Sequence, residues 1–206
     1  MPPTDRPLPR FVAEPPHELE PYGRWGEALS TRFMQACESL ELEGPVGRAG
    51  PISWFPERTY AGRTYVPAVA PVEAGLELFG FVSFLRTPDR GDPTDFETRV
   101  DYTEETAERN PEWKLDLNDE VIGRWRGPGE AQGDLTVIWG ETLVRGGSTA
   151  TAELGDETLD QCALVQSERF TLVALDAVTG FGDELYLEIK LWNKSGELLA
   201  TETLYE

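Results

Sequence analysis

From residue 63 onward the sequence breaks into short β-type runs separated by turn residues at fairly regular spacing. No other feature constrains the fold as strongly. Runs at 63–70, 76–86, 95–102, 119–126, 134–145, 148–154, 160–166, 168–178, 184–193 and 197–205 are rich in β-branched and aromatic residues and bounded by Gly, Pro, Asn, Asp or Ser. The 95–102 run alternates cleanly: Phe96, Thr98, Val100 and Tyr102 take one face, and Asp95, Glu97, Arg99 and Asp101 the other. Leu76–Leu85 is apolar on both faces, which predicts a strand buried on both sides. Pro67 predicts an edge position for the 63–70 strand. Asn193-Lys194-Ser195-Gly196 reads as a hairpin turn. The expected fold is mainly β (α+β by strict count), an antiparallel β-sandwich or barrel of about ten strands.

One helix precedes the strands. Tyr22, Trp25, Leu29, Phe33, Cys37 and Leu40 recur at three- and four-residue spacing and make one apolar stripe over about 24–42. Gly44 and Pro45 are its expected stop. The stripe predicts a helix packed on the β-core. Thr103 is placed to cap a second, short helix at 104–109, ended by Asn110-Pro111. Residues 43–62 read as a loop, yet they carry Ile52, Trp54, Phe55 and Tyr60. A loop this aromatic is expected to cover a core or a ligand pocket.

Residues 1–16 hold Pro2, Pro3, Pro7, Pro9, Pro15 and Pro16 and read as an extended tail. Residues 17–206 are expected to form a single β-rich domain, with a possible subdivision near 104–118. The N-terminus has no apolar stretch of signal-peptide type, and no run approaches the length of a membrane span. Cytoplasmic residence is the default expectation. Cys37 and Cys162 lack metal-ligand spacing and are expected to be buried free thiols.

Charge excludes more than it selects. Asp and Glu number 38 against 18 Lys and Arg, for a net charge of -20. Such a surface repels phosphate, so neither nucleic acid nor an anionic membrane is an expected partner. Cations and basic proteins fit the sign.

Catalytic and metal chemistry find few supports. His17 is the only histidine, so a zinc site or a histidine-dependent triad has little to build on. Asp89, Asp92 and Asp95 share one turn-rich segment and are weak calcium candidates. Asp116-Leu117-Asn118-Asp119-Glu120 opens like a calcium loop but has Val121 where glycine is needed and Gly127 where the bidentate glutamate belongs. A chain this acidic produces such clusters by composition alone. No metal and no cofactor is predicted.

The aromatic residues are the more informative set. Trp125 and Trp139 fall in adjacent strands, Trp54 and Tyr60 in the covering loop, and Arg124 beside them. Trp54, Tyr60, Arg124, Trp125 and Trp139 are the expected ligand-binding residues, although large aromatics also dominate ordinary cores. The leading expectation is a non-enzymatic binding or assembly protein with an aromatic-lined surface or cavity, its small-molecule or protein partner unspecified. One alternative is a small-molecule enzyme in a β-barrel cavity, with Glu141 or Asp176 as general base and Arg124 or Arg126 holding an anionic substrate. The other is a structural subunit of a homo-oligomer.

Overall fold

The computed structural model describes residues 13–16, 20–40, 48–73, 75–86, 92–126, 132–155, 157–164, 168–178 and 186–204. For Trp125, Arg126, Gln132 and residues 175–178 only the backbone is described.

Helix α1 spans Gly23–Glu38 and buries Gly26, Leu29, Phe33 and Cys37. Leu29, Phe33 and Cys37 belong to the predicted stripe, with Trp25 and Leu40 partly buried beside them, whereas Tyr22, its first expected member, is exposed. No side chain caps its N-terminus, and neither end carries the charges that would offset the helix dipole. Its stability therefore comes from packing rather than from local signals. Gly44 and Pro45, its expected stop, lie outside the described residues. So do His17 and most of the Pro-rich tail.

Among the described residues, twelve strands follow in three antiparallel sheets. The first sheet contains β1 (Ser53–Trp54), β2 (Arg58–Tyr60), β3 (Arg63–Pro71), β4 (Glu77–Leu85) and β5 (Thr94–Thr103). It runs in the order β1-β3-β4-β5, with β2 also paired to β3. The second sheet contains β6 (Leu115–Arg126), β7 (Gln132–Thr142) and β10 (Arg169–Val178), with β7 in the centre. The third contains β8 (Gly147–Leu154), β9 (Glu157–Ala163), β11 (Leu187–Asn193) and β12 (Leu198–Leu204), in the order β12-β11-β8-β9. The sheets stack as a sandwich, and the expected alternative of a closed barrel is not formed.

Side-chain parity sets the order of the layers. On β4, Leu78, Val82 and Phe84 pack under α1 with Val66, Ala68 and Ala70 of β3. Phe81, on the other face, joins Tyr65, Leu135, Val137, Trp139 and Val173 in a core between the first and second sheets. Ile138 of β7 and Phe170, Leu172 and Ala174 of β10 point the opposite way. They meet Ala150, Cys162, Ile189 and Leu191 of the third sheet. The layers are thus helix, five-stranded sheet, three-stranded sheet and four-stranded sheet. From Leu135 to Gly140 β7 is buried on both faces, as are the described side chains of β10 after Arg169, which explains the uncharged run of β7 there. Burying each large side chain contributes about 1.5–3 kcal/mol. The outer face of the third sheet is polar: Lys190 binds Glu153 at 2.7 Å, and the Trp192 indole donates to Thr151 Oγ1 at 2.8 Å.

Three expectations need correction. Residues 104–109 form turns rather than a helix: Thr103 Oγ1 accepts from the Glu105 amide, but the following bonds close only single turns before Pro111. One turn of helix cannot offset its nucleation cost. Pro67 does not lie on an edge strand. Its carbonyl accepts from the Phe55 amide at 3.0 Å, so its missing N–H faces the break between β1 and β2, where no ladder bond is needed. The aromatic stretch 51–60 is not an open loop either. Trp54 to Thr59 are buried, and two short strands pair this stretch to β3. Its sequence has Pro51 and Pro56 as turn signals, and tertiary pairing overrides them.

Candidate functional site

The middle sheet presents a row of charges at one end of its face toward the first sheet. Trp139 packs into the core between those two sheets, so Glu141, two residues further along β7, points the same way. In register, Glu141 lies opposite Asp116 on β6 and Arg169 on β10. The next row inward is Asn118, Trp139 and Thr171. Gly140 makes this close packing possible, because a Cβ there would collide with the Asp116 carbonyl and the Leu117 side chain.

The first sheet supplies Glu77. It lies two residues before Phe79 on β4, and the Phe79 ring sits 6.3 Å from that of Trp139. Glu77, Asp116 and Glu141 therefore meet where the gap between the two sheets opens to solvent. Burial raises the Glu77 carboxyl from 4.5 to about 7, with Asp116 and Glu141 adding repulsion and a hydrogen bond from Asn118 opposing it. Asp116 is also raised, by burial and then by Glu141, against a bond from the Ala107 backbone.

Arg169 is ion-paired to Glu141 of this group. Its Nε lies 3.4 Å from Glu141 Oε2, its Nη1 donates to the Trp54 carbonyl at 3.1 Å, and it stands 3.8 Å from Glu20. It is shared among several acceptors and does not neutralise the cluster. Two buried polar atoms of the inner row, Trp139 Nε1 and Thr171 Oγ1, have no hydrogen-bond partner among the described residues.

Most of the expected ligand residues lie elsewhere. Trp54 is buried in the core under α1, its ring 6.0 Å from Phe33. Trp139 is fully buried, and Tyr60 is half-buried against that same central core. Trp54 and Trp139 thus belong to different cores. Arg124 is 87% exposed and lies 3.6 Å from Asp134. It pairs in register with Asp134, seven residues along β7 from Glu141, so the two are separated by roughly 24 Å at 3.4 Å per residue. The combination of Glu141 with Arg124 is therefore not brought together. Asp176 pairs with Asp134 at that far end, and its side chain, like those of Trp125 and Arg126, lies outside the described part.

Of the calcium candidates, Asp89 lies outside the described residues, Asp92 is exposed, and Asp95 forms an ion pair with Arg63. Among the described residues no three His, Cys, Asp or Glu side chains are placed to hold a metal ion. Cys37 and Cys162 are buried and free, as expected, and burial pushes the Cys37 thiol to about 11.

Sequence reasoning passed over Glu77 and Arg169, and met Asp116 and Asn118 only inside a failed calcium loop. A signal was present. Glu141 follows the uncharged run Leu135–Gly140 and has the parity of Val137 and Trp139, which puts a carboxylate on a buried face. Compared with known protein families, curated proteins and solved structures, the chain matches none.

Proposed function

We propose that the chain is a binding or assembly protein, and that its partner presents a basic side chain to the carboxylate-lined mouth between the first and second sheets. The expected aromatic surface is relocated in this reading, because Trp54 and Trp139 are core residues. The observation that carries it is charge imbalance. Glu77, Asp116 and Glu141 converge from two sheets, and Arg169, which pairs with Glu141, is divided among three acceptors. A half-buried cluster of like charge costs stability, and proteins keep such costs where a ligand removes them. The carboxylates are not placed to share one metal ion. A guanidinium or ammonium group, larger and with several donors, reaches several of them at once. The net charge of -20 favours the approach of a basic partner.

Calorimetric titration of the full chain with a short Lys/Arg peptide tests this. Binding is expected at pH 8 and 150 mM salt, weakened about tenfold or more in Glu77→Gln/Asp116→Asn. Glu104→Gln/Glu105→Gln, which removes two charges from the neighbouring turn segment, is expected to change it less than twofold. Equal losses in the two double variants, or no binding to the wild-type chain, would sink the reading.

One observation favours the enzymatic alternative. A carboxyl titrating at about 7 is poised to donate or accept a proton near neutrality. In that reading Glu77 replaces Glu141 as the proton-transfer group, and Arg169 replaces Arg124 as the anion-binding residue.

A further inference from the structure

The two edges of the middle sheet differ. At β10 the edge is closed by side chains: Asp160 of β9 accepts from the Val173 amide at 2.8 Å, and Arg58 of β2 binds both Asp160 oxygens at 2.5 Å. At β6 no strand among the described residues pairs with the outer side. From Asp116 to Gly123 its residues are half-buried, or exposed at Val121, so this edge reaches solvent. An open edge is a template for another strand.

Two hydrogen bonds fix which groups the β6 edge presents. The Leu143 amide donates to the Lys114 carbonyl at 2.9 Å, whereas the Thr142 amide turns the other way, to the Glu168 carbonyl just before β10, at 3.0 Å. Bonded and non-bonded pairs alternate along an antiparallel ladder. In the register that runs from Leu115 opposite Thr142 to Val121 opposite Thr136, Asp116, Asn118 and Glu120 therefore bond to β7. Leu117, Asp119 and Val121 turn their amides and carbonyls outward. The Val121 carbonyl agrees with this phase, since it accepts from Arg99 Nη1 of β5 at 2.8 Å. The same Nη1 lies 3.0 Å from Glu120 Oε1, so the chain's own guanidinium takes one edge carbonyl and one carboxylate. Arg99 and Asp101 pair in register with Phe81 and Phe79, whose side chains face the second sheet, and so point that way too.

We infer that the edge Leu117–Val121 docks an extended basic segment of a partner protein, which adds to the middle sheet as an antiparallel strand. The inference rests on the reading of the mouth as a site for a basic partner, and gives that partner's backbone a place beside Asp116. Charge selects the occupant. Leu115–Gly123 carries Asp116, Asp119 and Glu120 and no Lys or Arg, and Asp101 stands on the neighbouring strand. A second copy of this chain, at net charge -20, is repelled by these acids, whereas a basic strand is drawn to them. Both existing pairs of the sheet are antiparallel, and the added strand continues that order. Its residues opposite Asn118 and Glu120 point to the side of the first sheet, where the carboxylates of Asp116, Glu120 and Asp101 stand, and are basic. Its residues opposite Leu117 and Val121 are uncharged, and their amides are the ones that bond to β6.

The test leaves the protein unaltered and changes the backbone of the probe. The peptide acetyl-Lys-Val-Arg-Val-Lys-Val-Arg-amide is titrated into the full chain, beside one form N-methylated at its three valines and another N-methylated at the three basic residues that follow them. Methylation at the valines is expected to weaken binding at least tenfold, and methylation at the basic residues less than threefold. Equal binding of all three peptides overturns the added strand while the mouth remains a site for basic side chains. Equal losses in both methylated forms, or a loss confined to the basic set, also overturn the antiparallel strand. No binding of the unmethylated peptide overturns both readings. Hydrogen exchange of the complex gives a second measurement: the Leu117 and Val121 amides should exchange at least fivefold more slowly than in the free chain, with the amides of β12, the outermost strand of the third sheet, unchanged. Equal slowing at β6 and β12 would mean general stabilisation and would overturn the docking edge.

Discussion

The junction at Arg58 and Asp160 and the mouth at Glu77, Asp116 and Glu141 both set carboxylates between stacked sheets, in opposite electrostatic states. At the junction the side chains are 3% and 0% exposed and the charges face each other. At the mouth three carboxylates face one another, and only Glu141 among them is paired with Arg169 in the described residues. The difference separates two uses of a buried acid. A charge that is paired and hydrogen-bonded holds elements in a fixed relation. A charge left against its own kind makes the fold less stable and leaves a place for an external cation. Thr59 and Thr64, whose hydroxyls lie 2.8 Å apart on β2 and β3, form a further buried hydrogen bond beside the junction, where Arg58 Nε has no hydrogen-bond partner among the described residues.

The largest expected effect breaks the junction. Asp160→Ala leaves the Arg58 guanidinium buried without its counter-charge and the Val173 amide without an acceptor. Removing one partner of a buried pair costs about 3–5 kcal/mol. Urea unfolding of the variant should show a loss of that size at pH 7. A loss under 1 kcal/mol would mean that water reaches Arg58 and that the junction is not dry.

How far each region could be read from sequence follows from the same contrast. Strand positions were legible because alternation and turn residues are local: the runs 148–154, 168–178 and 197–205 fall within a few residues of β8, β10 and β12. The helix was legible from its stripe. β1 and β2 were not, because two- and three-residue strands between prolines exist only through pairing with β3. The junction left one local trace, Asp160 at the same parity as the buried Cys162, but Arg58 lies 102 residues away in sequence and nothing local links them. The mouth was half visible. Glu141 was singled out, whereas Glu77 and Arg169 become its neighbours only when the first sheet stacks on the second. Aromatic content misled for a physical reason: Trp54 and Trp139 are the largest apolar groups available, and two separate cores use them.

The mouth gives a smaller effect of opposite sign. The Glu77 carboxyl rises from 4.5 to about 7 on folding. Below pH 4.5 both folded and unfolded chains hold the proton, and the group costs nothing. As pH rises toward about 7 the unfolded chain releases its proton while the folded chain retains it, so stability falls. Above that range the full penalty is present. A rise of this size converts to roughly 3 kcal/mol, which water at the mouth screens to about 1–2 kcal/mol. Glu77→Gln should therefore be more stable than the wild type by about 1–2 kcal/mol at pH 8, and equal to it at pH 4. Denaturant titrations at the two pH values measure both arms. A destabilised variant at pH 8 would show that Asn118 and Arg169 compensate the cluster after all.

The smallest effect belongs to the far end of the same β6–β7 ladder. Arg124 and Asp134 are also an ion pair by distance, at 3.6 Å, but the arginine is 87% exposed and the aspartate 47%. Water and salt screen such a pair, and holding two long side chains in one geometry offsets much of what attraction remains. Arg124→Ala should change unfolding stability by less than about 0.5 kcal/mol. It should also leave Lys/Arg-peptide binding within twofold of the wild type, since about seven residues of ladder separate it from Glu141. A tenfold gain in peptide affinity would mean that long-range field, rather than contact at the mouth, governs the interaction. Raising the salt then decides between them. Attraction through the general field of an acidic surface falls steeply as the screening length shortens, whereas contact with half-buried carboxylates is screened much less.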